Sequence, residues 1–181
     1  MDFQIGISDD GKGTDLTLAA GDTAAEMQGG STYVRSGSSP TMSGHIMLTT
    51  ANTGKTGKTG SISLRSGASQ SGSSGATVIS SGEATEGSAG KVALIAGGSD
   101  NENGANIDII GGSTTSRAGF GGNIILAAGT GESSDLRDGG DGGEIILAGG
   151  MSNGLSKRDA GGNVTMMGGH AQTGSGGSFT L

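Results

Sequence analysis

An eight-residue phrase recurs from one end of the chain to the other. It runs as a small residue, any residue, an apolar one, any, a second apolar one, two of any kind and a closing small residue, with Gly usual at both ends. It is clearest in Gly60-Ser-Ile62-Ser-Leu64-Arg-Ser-Gly67, Gly90-Lys-Val92-Ala-Leu94-Ile-Ala-Gly97, Gly122-Asn-Ile124-Ile-Leu126-Ala-Ala-Gly129 and Gly143-Glu-Ile145-Ile-Leu147-Ala-Gly-Gly150. Twelve copies, some imperfect, put their paired positions at Ile5/Ile7, Leu16/Leu18, Thr32/Val34, Ile46/Leu48, Ile62/Leu64, Thr77/Ile79, Val92/Leu94, Ile107/Ile109, Ile124/Leu126, Ile145/Leu147, Val164/Met166 and Phe179/Leu181. Only Thr32 and Thr77 break the apolar rule, so 22 of these 24 positions are apolar. Residues two apart share one side of an extended chain, and that side is the expected core.

Steps between the first members of successive pairs are 11, 16, 14, 16, 15, 15, 15, 17, 21, 19 and 15. Units this short cannot each bury a face and must stack on neighbours. Eight residues with period-two apolar positions and Gly at both edges lack the length and the 3.6 period of an amphipathic helix. The expected fold is therefore all-β: one domain spanning residues 1–181, a flattened, Gly-rich parallel β-solenoid of about twelve short strands. Two strands per coil of about thirty residues is the preferred arrangement. The alternative, one strand per coil of about fifteen, leaves only about seven residues to travel back behind the sheet.

Composition bears on this expectation in four ways. Glycine supplies 41 of 181 residues, which disordered linkers also show, but such linkers do not keep a regular apolar pair. The absence of Cys excludes disulfides, thiolate metal sites and cysteine nucleophiles. A net charge of −7, from 10 basic and 17 acidic residues, opposes a nucleic-acid grip, which needs a basic stripe. Phe3, Tyr33, Phe120 and Phe179 are the only aromatics, too few for a base-stacking platform.

The N-terminus, Met1-Asp-Phe-Gln-Ile-Gly-Ile-Ser-Asp-Asp, lacks the basic region and apolar run of a signal peptide, and nowhere do 18 apolar residues occur together. Either the chain is not exported by that route or it is a piece of something longer. No membrane span is expected.

Between the paired positions the residues turn apolar toward the C-terminus, with Ile125 and Ile146 inside the phrase and Ile110 and Met167 just beyond it. Ordinary β-propensity and contact with another chain or another sheet both account for this. Two reversals are longer than the rest and carry Asp135-Leu136-Arg137-Asp138 and Leu155-Ser-Lys157-Arg158-Asp159, and a related Ser116-Arg117 precedes Gly121-Gly122. Arg117, Arg137, Asp138, Arg158 and Asp159 are thus a candidate surface-recognition or packing set. They form either an ion ladder along one edge or plain solvated loops. Phe3, Ile5, Phe179 and Leu181 are candidates for end-to-end association, since stacked strands leave an unpaired edge at each end.

Sites of chemistry were sought and not found. Gly54-Lys55-Thr56 and Gly57-Lys58-Thr59 imitate the end of a phosphate loop, but the positions that need the upstream Gly hold Thr49 and Asn52. Gly11-Lys-Gly13-Thr-Asp15-Leu16 and Asp138-Gly-Gly-Asp141-Gly-Gly143-Glu144 suggest calcium-binding turns. In that motif, however, the Asp stands two residues before the apolar position and recurs in every turn, which is not the case here. No regular outward Thr row exists for ice binding. His45 and His170 stand alone, and no Gly-x-Ser-x-Gly elbow is present. Neither cofactor, metal nor enzymatic activity is expected.

Segments such as Ser-Gly-Ser-Ser-Gly75-Ala-Thr-Val-Ile79-Ser-Ser-Gly82 and Gly-Gly122-Asn-Ile-Ile-Leu-Ala-Ala-Gly129 resemble Gly/Ser-rich repeats in large extracellular proteins of microalgae and water moulds, and runs in viral tail and fibre proteins. The resemblance spans nearly the whole chain. It implies a structural or surface-display role, extracellular or on a virion. With the unpaired solenoid edges, the expected job is a rigid building block of a fibre, coat or adhesin that self-associates through open ends. Its expected partner is itself, with a glycan- or mineral-surface-binding module as the alternative.

Overall fold

A computed structural model describes residues 12–180, and the chain divides into two units, Met1–Gly90 and Lys91–Leu181. Among the described residues there is no helix and no strand or sheet: the chain is largely irregular, long unpaired stretches joined by bends. The all-β solenoid expectation is thereby overturned, in both its thirty-residue and its fifteen-residue form. No described residue is buried, and Ile62, Val92 and Ile124, expected at the centre of a core, are each more than half exposed. The accessible surface is 18568 Å², against about 7,800 Å² for a compact protein of this mass and about 25,000 Å² for the unfolded chain.

The physical reason lies in where the backbone hydrogen bonds go. A solenoid needs bonds from each phrase to one a full coil further along. Every backbone bond among the described residues instead lies within a single reversal. Gly30 N–H donates to the Gly21 carbonyl, Gly44 to Gly37, Ala105 to Gly97, Gly122 to Gly112, Gly143 to Gly129, Gly162 to Gly150 and Gly177 to Gly169, all at 2.8–3.0 Å. Seven reversals are closed on themselves in this way, those ending at Gly60, Gly75 and Gly90 carry no closing bond, and no bond among the described residues carries the chain up to a next layer.

These closures form a neck at the base of each of the seven closed reversals, where two backbones approach closely. Its most covered residues are small: Ala20, Ser36, Thr50, Ala96, Gly111, Ala128 and Ala171. At the tightest necks, those of Gly30, Gly122, Gly162 and Gly177, a side chain would not fit, whereas a Cβ on Gly44, Gly60 or Gly143 would make ordinary contact at 3.4–3.5 Å. A Cβ on Gly162 would lie 3.0 Å from the Gly150 nitrogen, and one on Gly149 would run into the Gly162 carbonyl. No described Gly adopts a positive φ, so close approach, not left-handed backbone, is what Gly supplies here. In Met1–Gly90 the later reversals lack a closing bond and are looser: a Cβ on Gly75 or Gly90 would come only within 3.9 or 4.0 Å of Ser66 or Ser81.

Beyond the necks, Ser, Thr and Asp shape the loops by accepting bonds from backbone two or three residues on. Ser69 Oγ accepts from Gly72 N–H at 3.0 Å, Ser99 Oγ from Glu102 N–H at 3.0 Å and Thr114 Oγ1 from Ser116 N–H at 3.1 Å. The Ser/Thr-rich composition between phrases therefore has a local use.

Candidate functional site

Between the necks, the sequence pattern survives as a pattern of shielding. Apolar residues at the paired positions are 48–75% exposed, whereas Met47, Val78, Ile95, Ile110, Ile125, Ile146 and Met167, on the opposite parity, are 79–86% exposed. The two ranges do not overlap. Period-two alternation of this kind requires extended backbone, with the paired side chains on the more shielded side and the others on the side open to water. A one-sided apolar face is thus present without the hydrogen-bonded sheet expected to carry it.

The unit Lys91–Leu181 shows this best. Its segments 105–111, 122–128, 143–149 and 162–168 each begin at a neck donor, Ala105, Gly122, Gly143 or Gly162, and their other six residues make no backbone hydrogen bond. Side chains of an extended segment project at right angles to its N–H and C=O groups. With side chains alternating between a shielded and an open side, those backbone groups are presented along the remaining direction.

The reversal set behaves differently from an ion ladder. Arg117, Arg137, Asp138, Arg158 and Asp159 are all exposed, and no ion pair joins any of the three arginines to a carboxylate. The one ion pair among the described residues is Lys12 Nζ–Asp15 Oδ2 at 3.1 Å. Asp135, which the candidate set omitted, organises its loop: its Oδ1 accepts from Arg137 N–H at 2.8 Å and from Asp138 N–H at 3.3 Å. Those two bonds hold its carboxyl below the ordinary 3.8, because they favour the charged form. Asp159 does the same for its own loop, with Oδ2 accepting from Ser156 N–H at 2.8 Å while its N–H donates to the Ser156 carbonyl at 3.0 Å. The signal that finds both is Ser-Ser-Asp or Ser-x-x-Asp inside a Gly-bracketed loop, a turn-forming arrangement. The same loops hold Leu136 and Leu155 fully in water, free of any packing role within the chain.

Of the candidate end residues, Phe179 is half exposed, and Phe3, Ile5 and Leu181 lie outside the described residues. No pocket and no cluster of three His, Asp or Glu able to hold a metal ion occurs among the described residues. Nor does any helix long and apolar enough to cross a membrane. Comparisons with protein families, characterised proteins and solved structures gave no match.

Proposed function

We propose that this chain is a structural repeat protein, a building block of an extracellular fibre, coat or adhesin that works by associating with copies of itself. One observation carries the reading: a regular, one-sided apolar face exists on a chain in which no described residue is buried. Contiguous exposed apolar surface marks a place where something else binds. Ordering the backbone costs about 1 to 2 kcal/mol per residue, and a chain without a core has little to offset it until a partner covers that face. The reading assigns no catalytic step to any residue.

Analytical ultracentrifugation of the full chain over a wide concentration range, with electron microscopy of the same samples, tests it. Concentration-dependent assembly into extended particles is expected, and monomers alone at high concentration refute it. A glycan- or mineral-binding role has a separate observation in its favour, the unpaired Arg137 and Arg158 beside fully exposed Leu136 and Leu155. Loss of adsorption to glycan-coated beads in Arg137→Ala and Arg158→Ala, with assembly intact, would favour that reading.

A further inference from the structure

We propose that the partner is a second copy of this chain laid on the first in parallel and in register. In that arrangement the backbone N–H and C=O groups of 105–111, 122–128, 143–149 and 162–168 bond to the same residues of the copies on either side. This rests on the self-association reading and specifies its geometry.

Three observations lead there. The first is the direction of the unpaired groups: side chains occupy two opposite sides, one more shielded than the other, and the closing bonds at the necks are already made. The backbone groups of the four segments therefore project across the remaining direction, where no backbone bond among the described residues meets them.

The second is register. The paired positions of this unit are separated by unequal steps, from Val92 to Ile107, Ile124, Ile145, Val164 and Phe179, of 15, 17, 21, 19 and 15 residues. A partner that pairs with all four segments at once must reverse at the same unequal intervals, and an identical chain meets that requirement at zero offset. A slip by one residue would turn every apolar pair to the wrong side. A slip by one phrase would set the reversal 129–143 against the shorter 112–122.

The third is area. The accessible surface exceeds that of a compact protein of the same mass by about 10,000 Å², several times the 1,200–2,000 Å² that stable complexes bury. Copies spaced by about 4.8 Å along the stack would cover surface of that order, and each Ile124 or Ile145 would then sit against its own kind above and below.

The chain has no native Cys, so single-cysteine variants take a spin label at one place. Ile125→Cys and Ile146→Cys, both on the outward parity, are labelled, assembled and measured by electron paramagnetic resonance, with sedimentation run in parallel. In-register stacking puts labels about 4.8 Å apart, so each assembly gives a single exchange-narrowed line, which reverts to three lines on dilution with unlabelled chain. Three lines or plain dipolar broadening from undiluted assemblies overturns the stacking while leaving self-association standing. Failure to sediment removes both. Fibre diffraction of the unsubstituted chain guards against a label artefact: a meridional reflection at about 4.8 Å is expected, and its absence counts against the proposal.

Discussion

Replacing Gly149 with Ala is the most incisive perturbation of the necks, because its neighbour Gly150 is a built-in control. A Cβ at Gly149 meets the Gly162 carbonyl, whereas one at Gly150 has nothing within 4 Å. To admit the methyl, the neck must open and surrender the Gly162 N–H to Gly150 carbonyl bond of 2.8 Å. The bond is worth about 0.5–1.5 kcal/mol net, and forcing an extra carbon into a filled space costs about 1–3 kcal/mol. The closed neck should therefore lose about 1.5–4.5 kcal/mol, a fall of roughly 10- to 2000-fold in its population. Gly150→Ala should be neutral or favourable by about 0.4–1 kcal/mol, since it only restricts the unfolded chain. Amide hydrogen exchange at Gly162, read by NMR on both variants, decides the matter. Protection lost in Gly149→Ala and kept in Gly150→Ala is expected. Equal protection in the two would refute the claim that glycine is present for close approach.

Other outcomes follow from the shielding pattern and the charges. Ile124→Asn should raise the concentration needed for assembly more than Ile125→Asn does, by about 5- to 30-fold if the difference is about 1–2 kcal/mol of apolar burial, as read by sedimentation. Copies carrying −7 each repel one another, so assembly should strengthen between 0.01 and 0.15 M salt as screening shortens to about 8 Å; light scattering that falls with salt would contradict this. The Asp135 carboxyl is held below its ordinary value in the folded loop. The bonds it accepts are therefore fully present above 3.8 and are lost as the pH falls through the depressed value. The Arg137 and Asp138 amide shifts should move together in that acid range and stay constant from pH 5 to 8, and Asp135→Asn should remove the transition.

The repeat was legible in the sequence, and so were its local consequences. Pairs such as Ile124/Leu126 and Ile145/Leu147 share the more shielded side, Ile125 and Ile146 share the other, and the Gly-bracketed intervals hold the reversals. What the sequence did not disclose is the identity of the hydrogen-bond partner. Period-two patterning says which side chains point the same way, but it is silent on whether the next layer comes from the same chain, and the solenoid expectation supplied that layer from within. The reversal set was half legible. Arg beside Asp suggested ion pairs, yet Asp135 and Asp159 are spent on their own backbone, a competition that depends on loop geometry more than on charge. The sequence marked Gly150 and Gly162 only as edges of the phrase, while Gly149 and Gly162 let two backbones meet.

Mass per unit length, measured by scanning transmission electron microscopy on unstained assemblies, tests the account most directly. One 17.3 kDa chain per rise of roughly 4.8 Å gives about 3.6 kDa per Å, or whole multiples of it where stacks run side by side. Chains that each coil through six layers and join end to end would instead give about 0.6 kDa per Å on the same spacing, and that value would contradict the claim that neighbouring copies supply the missing backbone partners.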